Sequence, residues 1–270
     1  MSQFIWATWQ LYRRALIAAW ASLTRSWVMI VGVLVYALLL TVIASVASGL
    51  GILGGLLVGF ANAFFVGSVL SLLEQAVLSL RPMRWQDLWE QAGHYFWDVV
   101  AIGFLLWVPL QVLEMGMQRN PYGPAIISGV FLLMFILLNP VPEVIYQVRH
   151  ASPLDVLKES YEFVVENWIE WFLPLAIVLA PFGFSFFLML TSQGGRMAGL
   201  DLIQLLTIPF HILTNWVLLL GVPESVATVL VFLLTPIGTI FMLCFRGHLF
   251  AALHGSSRRQ RLFRAQSVWK

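Results

Sequence analysis

From Ser26 to Leu73 the chain runs 48 residues without a single Asp, Glu, Lys, Arg or His. About 20 apolar residues cross a bilayer once, so this run is too long for one crossing and too apolar for a helix in water. It predicts a pair of membrane spans. The cluster Gly49, Gly51, Gly54 and Gly55 supplies the turn between them and places the spans at 27–47 and 52–73. Composition extends the inference to the whole chain. Charged residues are 10% of the 270, against roughly 25% in soluble domains, too few to coat a soluble particle. The chain reads as all-α, a polytopic integral membrane bundle forming a single membrane domain over residues 1–270, with little room for a separate catalytic or nucleotide-binding unit.

Further apolar runs lie at 97–113, 125–146, 171–190, 202–220 and 225–245. The run at 202–220 differs from the others. Its polar residues Gln204, Thr207, His211, Thr214 and Asn215 recur every three or four positions and Pro209 interrupts it, the pattern of a helix with one wet stripe. Basic residues decide whether it crosses, because Lys and Arg accumulate in cytoplasmic loops. If 202–220 is interfacial or re-entrant, six spans remain, both termini share one side, and 13 of the 15 basic residues fall on that side, leaving only Arg119 and Arg196 opposite. A seventh span would export the tail residues Arg258, Arg259, Arg261 and Arg264. Six spans with both termini cytoplasmic is therefore the expectation. The first 25 residues hold Arg13 and Arg14 within an apolar pattern and lack a small-residue cleavage site, which predicts no removable signal peptide.

Three segments on the basic side have helical apolar spacing and are expected to lie in the interface, at 3–24, 84–96 and 153–169. The last opens on Ser152, Pro153, Leu154 and Asp155, with serine as N-cap, proline at the first helical position and an acid three after the cap. In the first, Ile5, Trp9, Tyr12, Leu16, Trp20 and Leu23 form the expected apolar face. Each segment precedes an outward and a returning span, so the plan is three helical hairpins.

Several residues are candidates for a mechanism. Gly51, Gly55, Gly59, Ala63, Gly67 and Ser71 put a small residue at every fourth position of the second span, which lets backbones approach closely in lipid and predicts a central packing helix. Asn62 lies mid-span on that helix. Asn139, Pro140, Pro142 and Glu143 mark a proline-broken fourth span with a carboxylate at membrane depth, within about two turns of Arg149. An ionisable group there is either paired with an inner arginine or functional, since leaving it unpaired costs at least ~2 kcal/mol. His211 on the polar stripe is a further candidate for a polar site. Arg258, Arg259, Arg261 and Arg264, interleaved with Leu262 and Phe263, fit the bilayer surface and anionic lipid head groups. No HExxH, GxSxG, phosphate-cradling glycine loop or paired cysteines occur. The sequence therefore predicts no enzyme activity, cofactor, metal or nucleic-acid partner, and Cys244 reads as a buried core residue.

Arg81, Pro82, Met83, Arg84, Trp85, Gln86, Asp87 and Leu88 after the second span, and Ser152 to Ser160 with Asn167 and Trp168 before the fifth, give the layout a further meaning. The chain resembles bacterial six-span proteins of the YciC-like group and the membrane domains fused to glycerophosphodiester phosphodiesterases. The resemblance implies a bacterial inner-membrane location and the six-span fold, and implies no catalytic residue. The functional expectation is a scaffold or accessory subunit of a membrane complex that contacts other membrane-protein subunits. The alternative is a small-molecule or lipid transporter using Asn139, Pro140, Pro142 and Glu143.

Overall fold

The computed structural model describes residues 2–149, 152–179, 214 and 216–255, and the described secondary structure is helical throughout. Nine elements position the site: α1 (Ser2–Arg25), α2 (Val28–Ala47), α3 (Ile52–Leu78), α4 (Trp85–Glu90), α5 (Phe96–Met117), α6 (Gly123–Leu137), α7 (Val141–Gln147), α8 (Pro153–Leu179) and α9 (Glu224–His254). Among the described residues, five stretches are long and apolar enough to cross a bilayer: α2, α3, α5, the α6–α7 stretch Gly123–Gln147, and Leu234–His254 within α9. The protein is a helical, membrane-embedded bundle. Of the expected fifth span at 171–190, α8 supplies the first part, and residues 180–190 lie outside the described residues. Most of the 202–220 segment does too.

The glycine turn forms where the uncharged run predicts it. Gly51 has φ +56°, a left-handed conformation that costs a residue with a Cβ. A Cβ on Gly54 would sit 2.0 Å from the Ala47 carbonyl oxygen. α2 and α3 pack against each other across that turn, and the second half of α3 is the centre of the core. Ala63, Val66, Val69, Leu70, Leu73 and Ala76 are buried there, and α3 touches α1, α2, α4, α5, α7 and α9.

One expectation needs correction. The interfacial helix expected at 84–96 is only Trp85–Glu90. It stops because Gly93 turns at φ +73°, its N–H donates to Ser68 Oγ at 2.7 Å, and the Phe64 ring fills the space a Cβ would need. The fourth span is broken where its prolines lie, since α6 ends at Leu137 and α7 restarts at Val141 across the turn containing Pro140. α1 divides its expected apolar face between the bundle and the outside. Tyr12, Ala15, Ala19, Ser22 and Leu23 face the bundle, where small side chains let α1 pack close to α9, and Trp9, Leu16 and Trp20 stay exposed. In α8 the backbone leaves helical geometry at Asn167, with φ −124°, close to where the interfacial part was expected to give way to the span.

Candidate functional site

Two polar centres lie near the end of the bundle where α3 finishes and α5 begins. The first grows from the broken fourth span. Pro140 and Pro142 lack N–H groups and cannot continue the helical ladder, so neighbouring carbonyls take partners elsewhere. Leu137 O accepts the Ser160 hydroxyl at 3.2 Å, and Asn139 O accepts Arg246 Nη2 at 2.8 Å. One helical step on, Glu143 is only 2% exposed. Arg246 of α9 binds it with both arms of the fork, Nε to Oε1 at 2.8 Å and Nη2 to Oε2 at 3.0 Å. The Asn139 side-chain oxygen accepts Trp171 Nε1 at 2.9 Å, and the Arg246 guanidinium stands 5.0 Å from the centre of the Trp171 ring. A charge-assisted fork, a backbone acceptor and a cation–π contact thus hold one arginine. This clamp ties the fourth-span break to α8 and α9.

The second centre is a polar cleft of about 410 Å³ bordered by Ser71, Glu74, Gln75, Gln91, His94 and Arg149. Glu74, four residues before the end of α3, accepts Tyr95 Oη at 2.7 Å and pairs with Arg149. Arg149 has φ +57°, a left-handed turn that closes α7. A chain of hydrogen bonds leads away from the cleft floor. Ser71 donates to Gln91 at 2.6 Å, Gln91 to Gln75 at 3.0 Å, and Gln75 to Asp87 at 2.9 Å. Asp87 also accepts the Arg84 backbone N–H at 2.7 Å, capping α4, and the Arg81 guanidinium at 2.6 Å. Burial by itself raises the Asp87 pKa. The Arg84 and Gln75 hydrogen bonds and the Arg81 charge outweigh it and hold the carboxyl below its ordinary range. The Arg81–Leu88 motif is thus a platform that fixes α4 under α3.

The expected site residues separate on these coordinates. Glu143 pairs with Arg246 and not with Arg149, which takes Glu74. Nothing in the sequence marks a partner 103 residues away, and the only available signal was the apolar run ending at Arg246. The small-residue stripe divides in two. Ala63, Gly67 and Ser71 are buried, whereas a Cβ on Gly55 or Gly59 would meet nothing within 4 Å and Gly51 belongs to the turn. The expectation of close packing along all of α3 holds, among the described residues, for Ala63, Gly67 and Ser71, where Gly67 lies against the Tyr95 and Phe96 backbone at the start of α5. Asn62 is half-buried and bonded. His211 and the tail residues Arg258, Arg259, Arg261 and Arg264 lie outside the described residues. Cys244 is buried, and among the described residues no group of His, Cys, Asp and Glu could hold a metal. Sequence reasoning missed Glu74, Gln75, Gln91 and Trp171, whose roles depend on helices meeting.

No family model, no curated protein and no solved structure matches this chain.

Proposed function

We propose that this is a non-enzymatic integral protein of the bacterial inner membrane, of the YciC-like layout, that serves as a scaffold or accessory subunit of a membrane complex. Its six spans would leave both termini in the cytoplasm. The observation that carries the reading is the state of Glu143. Both of its oxygens are bound by Arg246, and Arg246 is held in turn by Asn139 and Trp171. A transport site would keep such a group available to cargo, whereas this pair ties three helices together, and removing one partner would leave a buried charge. Affinity purification from native membranes tests the reading: a stoichiometric partner is expected, and its repeated absence argues against a subunit.

A permease is the second reading, favoured by the broken fourth span beside an open polar cleft. Uptake by liposomes containing the purified protein, abolished by Glu143→Gln, would overturn the scaffold proposal. Topology is tested separately by single cysteines in a Cys244→Ser background. An impermeant reagent outside spheroplasts should label positions 120 and 223 and spare 83 and 257.

A further inference from the structure

α1 has two faces, and neither suits bulk water. One, carrying Tyr12, Ala15, Ala19, Ser22 and Leu23, is buried, with Ser22 Oγ and His248 Nε2 of α9 2.9 Å apart. Alongside it Trp9, Arg13, Leu16 and Trp20 follow one another at intervals of four, three and four, which lines them up as one stripe. Trp9 is 63% exposed and Trp20 60%. Ile17 and Arg14 are exposed beside them. The helix holds three arginines and no acidic residue. Hydrocarbon would reject Arg13 and Arg14, and water would reject the tryptophans. The head-group layer accepts both, because arginine buries its stem while its charged end reaches the phosphates and tryptophan sits at the boundary.

An independent contact fixes one end of this stripe against α9. The Trp20 ring packs edge-on against Phe241 of α9, with centroids 6.2 Å apart. Phe241 lies within the membrane-length stretch Leu234–His254 of α9, five residues before Arg246. The Trp20 end of the exposed stripe is therefore held beside the membrane-length stretch of α9. Trp27 and Trp85, exposed and packed edge-on at 5.6 Å, add aromatic surface where α2 begins and α4 lies.

We infer that the exposed face of α1 is a binding surface for acidic phospholipids. Their phosphates pair with Arg13 and Arg14, and Trp9, Leu16, Ile17 and Trp20 lie against the glycerol and upper acyl carbons. Two positive charges with no acid on the helix select anionic over zwitterionic lipid. This assignment stands apart from the scaffold proposal and from the arginine-rich tail.

The test uses the full chain in vesicles, with a fluorophore on Ile17→Cys in a Cys244→Ser background. Quenching by spin-labelled phosphatidylglycerol is compared with quenching by spin-labelled phosphatidylcholine. The anionic lipid should quench more strongly, and its local enrichment should fall about fivefold for each arginine removed, as in Arg13→Gln and Arg13→Gln/Arg14→Gln. Both residues are exposed, so folding should be unaffected. Quenching by neither lipid would mean that the face meets water or another protein. A preference that survives the double variant would place the anionic lipid elsewhere. Either result overturns the assignment, as does loss of the preference in millimolar inorganic phosphate at constant ionic strength, which would show a site for phosphate without lipid.

Discussion

Two glycines on one stripe of α3 should respond oppositely to the same added methyl group. At Gly67 a Cβ would lie 2.8 Å from both Phe96 N and Tyr95 C and 3.1 Å from Tyr95 O. These are backbone atoms, and the segment they belong to is pinned by the Gly93 N–H on Ser68 and the Tyr95 hydroxyl on Glu74. Carbon contacts at rest are about 3.5–4.0 Å, so α3 and the start of α5 must separate by more than half an ångström. Overpacking of this kind costs about 1–3 kcal/mol. At Gly59 the methyl would meet nothing within 4 Å among the described residues. Replacing glycine by alanine inside a helix returns up to about 1 kcal/mol, and it does so at both positions, so the difference between Gly67→Ala and Gly59→Ala isolates the clash at about 1–3 kcal/mol. Thermal unfolding of the two variants in the same detergent, followed by loss of the monodisperse peak in size-exclusion chromatography, measures that difference. Equal melting of both, or a larger loss at Gly59, would refute the argument that α3 packs tightly only along its second half.

Arg246→Ala should cost about 3–5 kcal/mol by leaving Glu143 buried and unpaired, and Glu143→Leu/Arg246→Met should recover most of it in the same melting assay. Gly247→Ala brings a Cβ to within 2.5 Å of Tyr146 Oη and 2.8 Å of Val77 Cγ2, so it should destabilise the bundle, and adding Tyr146→Phe should restore part of the loss. Because Asp87 has a lowered pKa, its contribution is complete above the ordinary aspartate value near ~4 and disappears as pH falls below it. The melting gap between the parent and Asp87→Asn should therefore be constant from neutral pH down to about 5 and close towards pH 3.

The charge-free run from Ser26 to Leu73 and the glycine cluster within it were sufficient by themselves to predict two membrane helices and a turn. Hydrophobic length is a property of consecutive residues, and the bilayer, not the fold, sets the required length. The Ser152–Asp155 helix start was legible for the same reason, since a cap acts within four residues. Pro140 and Pro142 announced a break because a missing N–H is a local fact. What the break is for was not legible. Glu143 is six residues from Arg149 and 103 from Arg246, and only the packing of α7 against α9 decides which arginine reaches it. The stripe on α3 presents the same glycine at 59 and at 67, yet among the described residues one has no close neighbour and the other meets the backbone of α5, a distinction made by where α5 starts. The amphipathic spacing of α1 was legible, but which of its residues meet the bundle was not. Aromatic side chains have the larger transfer energy, while small ones permit close helix contact, and with a bilayer to receive Trp9 and Trp20 the bundle kept Ala15, Ala19 and Ser22 for itself.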